Sequence, residues 1–261
     1  MPYITTGGGG MGNQIKKFIS AIRLDPNSKS HLPYFQDIFK NRSVCVVEPG
    51  VKYTPINTWR IIVLDSDTEI PNNFCQATTK NKDFDNCDTL GRNIDFEYLR
   101  IPMPFRLKII KLVHQKLVPS LSIQNQVNSF IKHHGNYSSV HIRSFNADNF
   151  INDKSSRHAS KRNKIWINEG RQKCINYINN LSDKKIFLSS DSQSESTLIK
   201  QSCPNKIFIN YIDKDSNRSF ESDFTDMILL SKGNHMILNP TSTFSELAWY
   251  FGGCNENIHI C

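Results

Sequence analysis

Ser138-Ser-Val-His-Ile-Arg-Ser-Phe-Asn-Ala-Asp148 is the stretch from which the fold can be read. The short apolar run from Tyr137 to Ile142 has the length and β-branched content of a buried strand. It delivers His141 and Arg143 where the strand gives way to a polar loop. Two residues apart, these side chains share one face of a strand. In an open α/β sheet, ligands bind in the crevice outside the carboxyl ends of the strands. A guanidinium there suits phosphate, because its planar fork donates parallel hydrogen bonds and always carries charge. Taken alone, the same spelling also describes a strand-end arginine in an ion pair above a packed histidine.

Downstream of this strand, the chain alternates regularly. A helix is expected over Trp166 to Leu181, with Ile167, Cys174, Ile175 and Ile178 on one side. Strand Lys185 to Ser189 leads into Asp191. Helix Glu195 to Gln201, strand Lys206 to Tyr211, helix Phe224 to Ser231, strand His235 to Leu238, helix Thr243 to Tyr250 and a last strand, Asn257 to Ile260, follow. Strands alternating with helices indicate a parallel, doubly wound sheet.

Upstream, the pattern is similar but less regular. Strand Tyr3 to Thr6 runs into Gly7-Gly-Gly-Gly-Met-Gly-Asn-Gln14, and then Ile15, Phe18, Ile19 and Ile22 mark a helix face. Strands are expected over Val44 to Val47 and Arg60 to Leu64, and a long surface loop from Glu69 to Gly91. Helices are expected over Pro104 to Leu117 and Ser122 to His133, with Gly135 as a stop. The reading is an α/β chain of two Rossmann-like halves facing a cleft, residues 1–135 and 136–261.

The glycine loop supports more than one chemistry. Gly7, Gly9 and Gly12 spell the dinucleotide fingerprint, and Val44-Cys-Val-Val-Glu48 offers a second strand ending in an acid, although farther on than the usual spacing of about 20 residues. An NAD(P)-binding oxidoreductase is the alternative this supports. Walker A is excluded, since no Gly-Lys-Ser/Thr follows the glycines. Gly12-Asn13-Gln14 instead places two amides at a helix N-terminus, where free N–H groups attract anions.

The remaining composition narrows the partners. The 261 residues carry a net charge of +8, spread along the chain rather than gathered as a nucleic-acid footprint, so no nucleic-acid partner is expected. Nothing approaches the ~20 apolar residues of a membrane span. The start of the chain does not read as a secretory signal. The seven cysteines are scattered without C-x-x-C spacing, which suits reduced thiols in the cytoplasm and gives no metal cage.

Arg143, Asp191 and the Asn239-Pro-Thr-Ser-Thr-Phe-Ser245 turn all fall at the carboxyl ends of predicted strands. Together they supply a guanidinium and helix N-terminal hydroxyls for phosphate, and a carboxylate for base or ribose donors. Here the chain resembles the fucosyltransferase superfamily, most closely its α-1,2-fucosyltransferase-like branch. Gly10-Met-Gly-Asn-Gln14 is similar to the family's G-x-G-N-Q loop, and Tyr34-Phe-Gln-Asp-Ile-Phe39 to its aromatic segment. His141-Ile-Arg143 resembles H-x-R, Phe187-Leu-Ser-Ser-Asp191 the donor-side strand and acid, and Ser242-Thr-Phe-Ser-Glu-Leu-Ala-Trp249 the closing helix.

The resemblance implies a GT-B fold and an inverting, metal-independent transfer of L-fucose from GDP-fucose to a glycan hydroxyl. GDP-fucose is then a co-substrate, and no cofactor is needed. On this reading Arg143 neutralises the β-phosphate, and His141 and Asp191 contact the nucleotide. Ser242, Thr243 and Phe244 form the diphosphate turn, and Gly12, Asn13 and Gln14 close the cleft. Asp65-Ser-Asp67 is read as a strand-end turn rather than a metal motif. Relatives continue H-x-R with a second Arg and then Gly-Asp, whereas Ser144, Phe145 and Asn146 stand here. Asp148 is the first candidate for the catalytic base, ahead of Asp153 and Glu246.

Overall fold

The computed structural model describes residues 2–5, 10–32, 34–45, 49–56, 103–144, 166–211, 219–239 and 242–261. Two parallel sheets organise them. The larger contains β4 (Ser138–Ile142), β5 (Lys185–Ser190), β6 (Ile207–Ile209), β7 (Met236–Leu238) and β8 (Ile258–Ile260), in the order β6-β5-β4-β7-β8. Every pairing is parallel, with His141 opposite Ser189 and Val140 opposite Ile237. The chain winds outward from β4 through β5 to β6, then returns to place β7 on the other side. Strand order therefore reverses between β4 and β7, and the crevice at such a switch is where this kind of sheet binds ligands.

The smaller sheet repeats this plan. β1 (Tyr3–Thr5) lies between β2 (Lys29–Ser30) and β3 (Thr54–Ile56), again all parallel. Helix α1 (Met11–Leu24) follows β1 and buries Ile15, Phe18 and Ile19 completely, each such side chain contributing about 1.5–3 kcal/mol. A single turn, α2 (Phe35–Ile38), adds Phe35 and Ile38.

Alternation along the strands separates two cores. Val140, Ile142, Ile186 and Leu188 face α5 (Arg171–Asn180) and α6 (Gln193–Ser202) through Cys174, Ile178 and Ile199. A π-helical turn, Trp166–Gly170, opens α5. On the other face, Phe187, Met236 and Leu238 join a larger core with α7 (Phe220–Leu230) and α8 (Thr243–Phe251). That core continues into α1, α2, α3 (Met103–Lys116) and α4 (Leu121–His134), so helices from both ends of the chain share it. Gly135 ends α4 with φ +69°, its N–H donating to the Ile131 carbonyl, as the sequence predicted.

One expected strand is overturned. Arg42–Cys45 forms a 3₁₀ turn, so Val44 and Cys45 do not begin the strand expected over 44–47. The cause is local: Asn41 Oδ1 accepts from the Ser43 backbone N–H at 3.1 Å and from its hydroxyl at 2.6 Å, closing a side-chain-mediated turn. The second strand of the smaller sheet is instead Lys29–Ser30. The strand at 60–64, the loop at 69–91 and Asp65-Ser-Asp67 lie outside the described residues.

Candidate functional site

The sheet ends β4 at Ile142 and sends the next two residues across to β5. Arg143 Nη1 meets Asp191 Oδ2 at 3.0 Å, while Asp191 Oδ1 accepts from the Ser144 backbone N–H at 2.9 Å and from its hydroxyl at 3.2 Å. Asp191 N–H donates to the Ile142 carbonyl, which holds the two strand ends together. Asp191 is thus turned onto the guanidinium and the following turn, and most of its acceptor capacity is used within the protein. The Arg143 side chain keeps 33% of its surface exposed, so its charge stays reachable from the crevice.

The opposite side of the switch is the start of α8. Ser242 caps this helix by accepting from the Ser245 N–H at 3.4 Å, one turn in. Asn239, at the end of β7, reaches back with Nδ2 to the Arg143 carbonyl at 3.1 Å. His141, only 5% exposed, places Nδ1 2.6 Å from Ser245 Oγ, and its ring lies 4.9 Å from Phe244 at a tilt of 32°. His141 is therefore packed under the turn and held by it.

The N-terminus of α1 closes the third side. A Cβ on Gly12 would stand 2.8 Å from Thr243 Oγ1 and 2.9 Å from the Phe244 nitrogen, so the glycine permits two helix N-termini to touch. Asn13 Oδ1 is buried and has no hydrogen-bond partner among the described residues. Gln14 accepts from the Tyr34 hydroxyl, which joins the glycine loop to the aromatic segment. One turn further, Lys16 pairs with Glu246 of α8 at 2.5 Å, its side chain fully buried. This contact makes Glu246 the partner of a buried cation, and the physical role it shows is to tie α1 to α8.

The structure therefore brings Gly12, Asn13, Gln14, His141, Arg143, Asp191, Ser242, Thr243 and Phe244 around one strand switch. Asp148, Asp153, Gly7 and Gly9 lie outside the described residues. A guanidinium and two converging helix N-termini make a strongly anion-attracting crevice. Sequence reasoning missed the parts played by Ser144, Asn239 and Ser245. Each is a small polar residue within two positions of a strand end or in the first turn of a helix, which was the available signal. Among the described residues, no group of three or more His, Cys, Asp or Glu is placed to hold a metal ion, and no helix is long and apolar enough to cross a membrane.

Two Rossmann-like halves whose helices meet over the switch define a GT-B type of α/β fold, and solved fucosyltransferases have that fold. The apo form of POFUT1 aligns over 99% of this chain and 97% of that chain, with 12% identity and a TM-score of 0.53. An Arabidopsis thaliana FUT1 variant in complex with GDP aligns over 99% of this chain and 69% of that chain, with 12% identity and a TM-score of 0.51. In another crystal form, POFUT1 in complex with GDP aligns over 59% of this chain, which spans about half (49%) of the length of that one, with 12% identity and a TM-score of 0.41. No protein-family model matches the sequence, and no curated protein matches it.

Proposed function

We propose that the chain is an inverting glycosyltransferase that moves L-fucose from GDP-fucose to a glycan hydroxyl, within the α-1,2-fucosyltransferase-like branch. The observation that carries this reading is Arg143, anchored to Asp191 at 3.0 Å and still one-third exposed at the strand switch. The motif order in the sequence supports the donor class, and the fold shared with solved fucosyltransferases agrees with it. Residues 1–135 form the acceptor-side half, and residues 136–261 the donor-side half.

Leaving GDP develops negative charge on its β-phosphate. A guanidinium already aimed at that place stabilises the charge without reorganising, which is the work a metal ion does elsewhere, so the transfer is metal-independent. Ser242, Thr243 and Phe244 present the α8 N-terminus to the diphosphate. His141 lies beneath the nucleotide, and Asp191 keeps Arg143 aimed. Asn13 Oδ1, buried and without a partner among the described residues, accepts from a donor hydroxyl. Asp148 serves as the base toward the acceptor hydroxyl. All five cysteines among the described residues are free thiols, which supports a reducing, cytoplasmic setting.

The NAD(P)-linked alternative loses its supporting strand. Val44 and Cys45 lie in a 3₁₀ turn, and the strand beside β1 ends at Ser30, followed by His31 rather than by a ribose-binding acid. Thermal melting in the presence of a chelator tests the proposal. GDP and GDP-fucose are expected to raise the Tm, and Arg143→Ala to abolish the rise. No shift with any nucleoside diphosphate would overturn it.

A further inference from the structure

His141 and Ser245 make a closed hydrogen-bond circuit whose proton positions can be worked out from chemistry. Ser245 is completely buried. Its Oγ accepts the backbone N–H of Asn239 at 3.1 Å, and an amide N–H can only donate. Oγ keeps a second lone pair, but its one other hydrogen-bond neighbour among the described residues is His141 Nδ1 at 2.6 Å, so the buried hydroxyl proton finds an acceptor only by going there. A nitrogen that accepts a hydrogen bond carries no proton, so the proton of the neutral ring sits on Nε2. Asn239 completes the circuit through its own amide, which donates to the Arg143 carbonyl. The circuit runs from β4 to the first turn of α8, on to the end of β7, and back to β4. Phe244 restrains the ring plane from one side.

The geometry points to Ser245 as a positioning residue that fixes His141 as the Nε2–H tautomer, so that the imidazole is a directed hydrogen-bond donor rather than an acceptor. On the donor-site reading above, on which this consequence rests, such a donor suits an acceptor atom of the nucleotide: a phosphate oxygen, a base carbonyl or a ring nitrogen. The same hydroxyl also couples histidine orientation to the α8 N-terminus, since Ser245 belongs to the turn that presents Ser242 and Thr243.

The test is long-range ¹⁵N–¹H correlation NMR on ¹⁵N-histidine-labelled protein, with the His141 signals assigned by their loss in His141→Gln. In the ligand-free wild type, a proton on Nε2 and a bare Nδ1 are expected. A proton on Nδ1 overturns the assignment, and this measurement needs neither nucleotide nor a Ser245 variant. In Ser245→Ala the Nδ1–H form is expected to appear, and GDP affinity to fall about fivefold, the size of one lost hydrogen bond. An unchanged tautomer in Ser245→Ala overturns the positioning role. A wild type that shows the expected tautomer but binds no nucleoside diphosphate removes the transferase reading and leaves the tautomer assignment standing.

Discussion

Arg143 and Asp191 form a pair whose value lies in direction more than in stability. With a third of the arginine exposed, the ion pair contributes about 1 kcal/mol or less to folding. What it does is hold a long, flexible side chain at one place at the mouth of the crevice. Asp191→Asn keeps the shape and removes the charge that fixes the guanidinium. The expected outcome is a Tm within a few degrees of wild type, with GDP affinity reduced roughly tenfold, since a mobile guanidinium must be ordered on binding. Calorimetric titration checks this. Unchanged affinity would mean that Asp191 does not aim Arg143, and a large loss of Tm would make the pair structural. The pairing adds a contact within the protein to a carboxylate that the sequence reading placed against the nucleotide. Residue types and strand ends located both groups, but their mutual contact depends on the register that sets Ile142 opposite Ser190.

Helices α1 and α8 come from opposite ends of the chain, yet their first turns are in contact. Gly12 sits where any side chain would press on Thr243 and Phe244, and the Lys16–Glu246 pair locks the helices one turn later. Gly12→Ala adds one carbon, 2.8 Å from Thr243 Oγ1 and 2.9 Å from a backbone nitrogen. The hydroxyl can rotate away, but the backbone cannot, so the helix ends must separate. Overpacking of this kind costs about 1–3 kcal/mol. The expected outcome is a Tm several degrees lower together with weakened GDP binding, because the turn carrying Ser242 and Thr243 shifts. A melting curve with and without GDP reads both effects. A variant with wild-type Tm and wild-type GDP shift would show that the helix contact is looser than the geometry describes. The glycine was visible in the sequence, but not the helix it meets, because the contact joins residues more than 200 positions apart.

Across the whole molecule, the elements legible in the sequence were those with several residues of clear period. Each strand–helix unit after residue 136 was found within a few residues of its observed ends, since buried parallel strands and amphipathic helices carry strong patterns. β2 has two residues and β3 contains Pro55, so neither could be recognised by period. Val44 and Cys45 misled because a β-branched run was given to a turn by an upstream asparagine.

The shared core has one further measurable consequence, at high pH. Tyr137 is 2% exposed and donates its hydroxyl to the Leu229 carbonyl at 2.8 Å, and burial pushes its phenol well above the usual range. Burial also pushes the Cys254 thiol up to about 12. Both groups keep their protons in the folded state while the unfolded chain gives them up from about pH 9 for the thiol and about pH 10 for the phenol. The unfolded state then binds fewer protons, so stability is whole below these values and falls as pH rises through them toward the folded-state values. Each group contributes a slope of about 1.4 kcal/mol per pH unit within its window. Tm should therefore decline steeply between about pH 9 and pH 12. Tyr137→Phe should begin less stable at neutral pH, by about 1 kcal/mol for the hydrogen bond to Leu229, and then lose less with each further step in pH. The two melting curves should converge as the solution becomes alkaline; parallel curves would show that the Tyr137 phenol does not resist ionisation in the fold.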